Sequence, residues 1–312
     1  MFCACCFDFC CRWDIESHMD IIELKSSAEI MGYLEDLDKR GQRVIALDIE
    51  AEFNLHCYGE HLCLIQIFDL EHEIIIDPFN IRDTRAIKGL FEKRDLLKIM
   101  YDSSGDAALL EKSCSIRLCS VLDLKPAVTL LKYPRQGLSD VLSEELGIAH
   151  QNKKRFQRYN WMRRPISRAA IEYAMGDVIH LFSLKDKLLE RLRINGLLDT
   201  YILHNLMVQD GHNSRNRKEK FEKAKGYNRL DKAGRERFRK IFAIRDAFAK
   251  KLNKPPDYVF SNARLLDLCR KDIHDPDYIE QGINPRIQHP IREEIFSMFA
   301  EAVRGRTRPS HS

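Results

Sequence analysis

Three apolar runs set close together, followed by an alternation of helical and strand-like patterns, leave few architectures open to this chain. Val44–Ile49, Leu62–Phe68 and Ile74–Asp77 each read as a strand bounded by charged or turn-forming residues. The short spacing between them predicts antiparallel hairpins. After Asp83 the pattern alternates: a helix over Arg85–Lys93, a strand at Leu97–Tyr101, a helix over Asp106–Lys112 and a strand at Val121–Leu124. Long helical patterns follow at Leu138–Leu146 and Ser167–Ile194. Hairpin strands joined to such an alternation predict an α/β fold with a mixed β-sheet flanked by helices.

A second region begins after Gly211. The tract His212–Arg229, HNSRNRKEKFEKAKGYNR, is basic and almost without apolar periodicity, and is read as a linker over residues 212–229. Beyond it Phe238, Ile241, Phe242, Ile244, Phe248 and Leu252 recur at helical spacing. With further helices predicted at Asn262–Arg270 and His289–Val303, residues 230–304 are expected to form a small all-α helical bundle, and 305–312 a disordered tail. Charge follows this division. His212 to Ser312 carries 24 basic and 14 acidic residues, whereas Met1 to Gly211 carries 27 and 33. An acidic body with a basic tail section suits a protein that meets phosphates with one part and does chemistry with another; two ordinary domains of different surface charge would give the same balance. No run approaches the roughly 18 apolar residues of a membrane span, so no membrane partner is expected.

The ten cysteines do not resemble a secreted framework. Cys3, Cys5, Cys6, Cys10 and Cys11 crowd the start, and Cys57, Cys63, Cys114, Cys119 and Cys269 are scattered through apolar stretches, where a reduced thiol behaves as a small hydrophobe. A reducing, cytoplasmic setting follows. Met1–His18 lacks a basic n-region and is interrupted by Asp8, Arg12 and Asp14, so residues 1–19 are expected to be disordered, or to precede a true start at Met19.

Three sets of residues could carry chemistry. In VIALDIEAEF, strand alternation puts Val44, Ala46, Asp48 and Glu50 on one face and Ile45, Leu47 and Ile49 on the other. Two acids on an otherwise apolar face either sit at an exposed strand end or share a cation. Asp106 opens the helix after LLKIMYD, where it could equally cap the helix, and Asp102 competes for any role. In IEYAMGDVIHLF, Tyr173 and Asp177 are spaced i, i+4 on one helix face, beside a packing stripe of Ile171, Ala174, Val178 and Leu181. A plain surface hydrogen bond between them is the ordinary alternative.

Taken in order, Asp-x-Glu on the first strand, an Asp opening a helix about 55 residues on, and Tyr-x-x-x-Asp on a later helix resemble the DEDD superfamily of 3′→5′ exonucleases, in the subclass with a Tyr in the last motif. GEHLCLIQIFD is similar to that family's second strand, and YNWMRRPISRAAIEYAMGDVIHL to the ribonuclease D approach to the last motif. The segment LDKAGRERFRKIFAIRDAFAKKLNKPPDYVFSNARLLDLCRKD resembles an HRDC domain, a helical nucleic-acid-binding module. The resemblance implies a ribonuclease H-like fold, with the exonuclease domain over residues 20–211. It implies that Asp48, Glu50, Asp106 and Asp177 hold two divalent metal ions, Mg²⁺ or Mn²⁺, for an in-line displacement. Tyr173 would orient the attacking water, and nucleoside 5′-monophosphates would leave the RNA 3′ end.

The chain also departs from the family. Ribonuclease D usually has His-Ala-x-x-x-Asp around the second Asp, where this chain has Tyr101-Asp102-Ser103-Ser104-Gly105-Asp106, and AEFNLHCYGEH after Glu50 is unusual. Phe53, His56 and Tyr101 are candidates to stack on or hydrogen-bond the terminal nucleotide, or are ordinary core and surface aromatics. Lys153, Lys154, Arg155, Arg158, Arg163, Arg164 and Arg168 run without an intervening acid and are interleaved with Phe156, Tyr159 and Trp161. Lys153, Arg155 and Trp161 are therefore candidate RNA contacts; a solvated loop is the alternative. The expected activity is a 3′→5′ exoribonuclease acting on RNA, tRNA precursors included. A 3′→5′ exonuclease acting on single-stranded DNA in repair, and a non-catalytic RNA-binding module, are the rivals.

Overall fold

A computed structural model describes residues 20–148, 153–211, 220–270 and 275–304. The Cys-rich start, the first part of the tract read as a linker, and the tail lie outside the described residues. The chain begins with β1 (Ile22–Leu24) and α1 (Ser27–Arg40), then β2 (Val44–Phe53), β3 (Glu60–Phe68) and β4 (Glu73–Ile76). Next come α2 (Arg85–Glu92), β5 (Leu97–Met100), α3 (Ser104–Cys114), β6 (Val121–Asp123), α4 (Lys125–Leu130), α5 (Leu138–Leu146) and α6 (Lys153–Phe156). Helices α7 (Arg168–Gly176), α8 (Leu181–Ile194) and α9 (Leu198–Gly211) complete the body; α10 (Lys232–Leu252), α11 (Pro256–Val259), α12 (Asn262–Arg270), α13 (Pro276–Gly282) and α14 (Ile291–Arg304) follow.

The sheet order is β1-β4-β3-β2-β5-β6. The β2–β3 and β3–β4 pairs are antiparallel, as the hairpin spacing predicts, and β1–β4, β2–β5 and β5–β6 are parallel. The result is the expected mixed sheet with β2 at its centre. Strand alternation then sorts two cores. Ile45, Leu47 and Ile49 pack on one face with buried residues of α1, α2 and α3, and Ala46, Leu64, Phe68 and Ile99 pack on the other with those of α4, α5, α7, α8 and α9. A third core is built from α10 to α14 around Phe238, Ile241, Phe248, Leu265, Ile295 and Phe299.

Three features differ from the sequence reading. The helix expected over Ser167–Ile194 is two helices, broken where the backbone tightens: Asp177, Val178 and Leu181 donate to the carbonyls of Ala174, Met175 and Val178. Apolar periodicity could not reveal the break, because Ala174, Val178, Leu181 and Leu184 all face one core. β1 and α1 carry little signal in the sequence. β1 is three residues long with two exposed, and α1 is marked chiefly by its ends: Ser26 Oγ accepts from Glu29 N, and Gly41 takes the left-handed conformation at φ 68°. Finally, residues 220–229 of the tract read as a linker form two short 3₁₀ turns, and Tyr227 is buried with its ring 5.4 Å from that of Phe238. Two aromatics, Phe221 and Tyr227, six positions apart among charged residues leave no period to detect.

Candidate active site

The central strand delivers two carboxylates to one place. Asp48 and Glu50 share the face of Ala46, and the β2–β3 register shifts directly after Glu50. The extra residue is Cys63 on β3, so the alternation of β2 itself runs on past Glu50. Glu52, next on that face, is buried, and its Oε1 accepts from the backbone N–H groups of Leu55 and His56. It therefore organises the turn that follows the strand.

Asp106 reaches the same region from α3. It stands in the first turn of that helix without capping it, since the N-cap position is Ser103. The turn between β5 and α3 is held by Asp123 at the end of β6, whose carboxylate accepts from Asp102 N, Ser103 N and Ser103 Oγ, each at 2.9 Å, and from Lys125 N. Asp102 adopts φ 61° there, a left-handed conformation that Asp tolerates better than most residues. Its side chain is 59% exposed with Lys125 Nζ at 3.8 Å, so it turns to solvent while Asp106 is half-buried.

Tyr173 of α7 and Asp177, at the C-cap of that helix, complete the set. Together with Asp48, Tyr101, Leu138, Ser139 and Leu181 they line an open cleft of about 210 Å³. Tyr173 is braced from behind: the ring of Phe156 stacks on it at 4.8 Å and 27°.

The electrostatics bind these groups into one unit. Burial pushes the Asp48 carboxyl up to about 7. Burial, then the charges of Asp48, Asp102 and Asp123, push Asp106 up to about 9. Glu50 is held well above the usual range by burial and then by Asp48, Asp177 and Asp106. The Tyr173 phenol is raised by burial and by Asp177, Glu50 and Asp48, which keeps it neutral. Oxygen donors crowded so that each disfavours its neighbour's charge suit a hard divalent cation, which would relieve both burial and repulsion. Among the described residues no three His, Cys, Asp or Glu side chains are already gathered into a ready-made metal site. Asp48, Glu50, Asp106 and Asp177 are the carboxylates here that could hold one.

Other expected contacts fall elsewhere. Tyr101 lines the cleft, with its hydroxyl donating to Gln136 O at 2.7 Å. Phe53 is 53% exposed and does not line the cleft, and His56 is tied through Nδ1 to Glu52 at 3.0 Å. Trp161, expected as a stacking platform, is only 4% exposed and is a core residue, as is Phe156. Neither can receive a base, because both rings are buried against other aromatics, Phe156 against Tyr159 and Tyr173 and Trp161 against Tyr159. Arg164 is likewise committed: it forms a two-point pair with Asp77 (2.5 and 2.8 Å), donates to Cys63 O at 2.7 Å and lies over the Phe79 ring. Arg155, Arg158 and Arg163 remain exposed, while the side chains of Lys153 and Lys154 lie outside the described residues. Asp123, Glu52 and Phe156 were not foreseen as support for the site. Only Phe156 carried a signal, its place in the aromatic run ahead of the last motif.

Asp48, Tyr173 and Asp177 line one cleft, Glu50 and Asp106 lie within electrostatic reach of them, and a sequence model of the 3′-5′ exonuclease family matches residues 22–193. The chain belongs to that family, whose members in general depend on divalent metal. Among its relatives, Ribonuclease D from Desulfotalea psychrophila is 26% identical over 250 residues, covering 77% of this chain and 66% of that one. Exosome complex exonuclease RRP6 from Saccharomyces cerevisiae is 25% identical over 182 residues, covering 57% of this chain and 24% of that one. The chain thus spans less than two thirds of these relatives' length. The fold is that of Escherichia coli RNase D, with TM-score 0.70 at 19% identity over 91% of this chain and 75% of that one. The catalytic core of RRP6 from Trypanosoma brucei is similar too, with TM-score 0.71 at 19% identity over 91% and 79%.

Proposed function

We propose that this protein is a divalent-metal-dependent 3′→5′ exoribonuclease that releases nucleoside 5′-monophosphates from RNA 3′ ends. The observation that carries the reading is the convergence of Asp48, Glu50, Asp106, Asp177 and Tyr173 on one partly buried region of a 3′-5′ exonuclease fold. Relatives named Ribonuclease D and RRP6 support RNA as the substrate, with tRNA precursors as the first candidate.

Asp48, Glu50, Asp106 and Asp177 would hold two Mg²⁺ or Mn²⁺ ions. When bound, such ions supply the positive charge that activates a water and stabilises the departing 3′-oxygen. The chain's own residues do the rest. The carboxylates bring the charge that selects hard cations. Tyr173, neutral at working pH and braced by Phe156, offers a fixed hydroxyl to orient the attacking water rather than a base to deprotonate it. The hydroxyl of Tyr101 fixes Gln136 and with it the approach to α5, whose first residues Leu138 and Ser139 line the cleft. Exposed Arg155, Arg158 and Arg163 and the HRDC-like bundle of α10 to α14 would grip the backbone through charge.

Digestion of a 5′-labelled RNA with a single-stranded 3′ tail, and of its DNA equivalent, with Mg²⁺, Mn²⁺ or EDTA tests this reading. A metal-dependent ladder shortening from the 3′ end on RNA alone is expected. Equal shortening of DNA would move the assignment to repair, and binding without shortening under any metal would make the chain a non-catalytic RNA-binding module. In the Asp177→Asn variant nucleotide release should be lost with RNA binding retained; unchanged release would overturn the metal-ligand assignment.

A further inference from the structure

Strand β3 carries a polar side chain with no part in the proposed chemistry. Gln66 sits in the middle of β3, between Leu64 and Phe68, in the stretch LIQIF. It is fully buried, and among the described residues neither its Nε2 nor its Oε1 has a hydrogen-bond partner. Buried amides are nearly always satisfied, and leaving both ends unpaired weakens a fold unless something else is gained.

The register says where this amide lies. Gln66 is the direct cross-strand partner of Asp48, with Phe68 opposite Ala46 and Leu64 opposite Glu50. Directly opposed residues on an antiparallel pair share a face with Cβ atoms about 4.5–5.5 Å apart, within reach of a glutamine and an aspartate. The only polar side chain of the buried LIQIF stretch thus stands beside the first carboxylate of the cluster, and the fold gives its amide no other use.

We propose that Gln66 is a positioning residue for Asp48. When divalent metal holds the site in its charged form, the Gln66 Nε2 group donates to the Asp48 carboxylate, directly or through one bound water, and fixes the orientation in which it meets the ion. The inference rests on the metal-site reading above and deepens it. Outer partners of metal ligands act in this way, and losing one lowers metal affinity about 10–100-fold. It also separates Gln66 from a structural residue. Replacing the amide by an apolar group of similar volume should leave the metal-free fold intact or firmer, because an unmet desolvation penalty disappears.

The test uses the full chain stripped with EDTA and titrated with MnCl₂ alone, with the thermal midpoint read at each concentration for the wild type, Gln66→Met and Gln66→Leu. Both variants are expected to fold in EDTA with a midpoint at or above that of the wild type, and to need about 10–100-fold more Mn²⁺ for half of the metal-induced rise. Unchanged Mn²⁺ demand would overturn the proposal while leaving the metal site standing. Variants that unfold or melt well below the wild type in EDTA would show that the amide serves the fold itself, and would also overturn it. If the wild type itself gains nothing from Mn²⁺, the metal-site reading fails and Gln66 loses its role with it.

Discussion

Asp106 shows how much tension single side chains carry here. Its carboxyl is raised to about 9, whereas an unfolded Asp titrates near about 4. Between those values the folded form binds more protons than the unfolded one, so this group's contribution to stability falls as pH rises through that window. Asp106→Asn should therefore raise the melting temperature in EDTA at pH 8 by about 2–4 °C for each kcal/mol relieved, and flatten its decline between pH 5 and pH 8. Calorimetry across that range checks both, and a lower midpoint at pH 8 would mean that the carboxylate stabilises the metal-free fold. Tyr173→Phe should keep the fold and lower the hydrolysis rate about 10²-fold, since the hydroxyl is asked only to position water. At this scale much was legible. The face shared by Asp48 and Glu50 follows from period-two alternation alone. The different exposure of Asp102 and Asp106 did not, because it depends on a left-handed turn that Asp123, on another strand, holds in place.

The loop and helix that lead into Tyr173 show what periodicity hides between residues. From sequence the basic run was uniform; in the fold its members divide. Arg164 is pinned on Asp77, while Arg158 and Arg163 face solvent. Neutralising either exposed arginine to Gln should reduce the steepness of the salt dependence of RNA binding by about 0.7 and leave stability unchanged. Arg164→Gln should do the reverse: the slope holds, but stability falls by about 3–5 kcal/mol as Asp77 loses its partner in a nearly buried position. Salt titrations and denaturant melts on the three variants distinguish the two classes. No spacing rule separates them, because burial is decided by the strand end that the loop crosses and not by the loop's own composition. The break between α7 and α8 was hidden for a similar reason, as both helices feed one core.

Across the whole molecule, the alternation of strands and helices announced the mixed sheet, and the charge asymmetry announced a basic second region. Removing residues 212–312 should weaken RNA binding and flatten its salt dependence; an unchanged salt slope in fluorescence anisotropy would show that α10 to α14 make no phosphate contacts. What the sequence hid was that the two regions meet. The turn after β2 reaches α10, where the Tyr58 hydroxyl donates to Asp246 at 2.5 Å and Tyr58 N donates to Asn253 Oδ1 at 3.3 Å. Contacts between residues nearly two hundred positions apart leave no periodic trace.

That contact also bears on how such a protein can be inherited. The strand that carries Asp48 and Glu50 ends in a turn whose tip is keyed to the helical bundle, so the two parts are not freely exchangeable cassettes. A bundle transplanted from a relative would arrive without its lock unless residues 54–59 travelled with it, and lineages that swap one should be found to have swapped both.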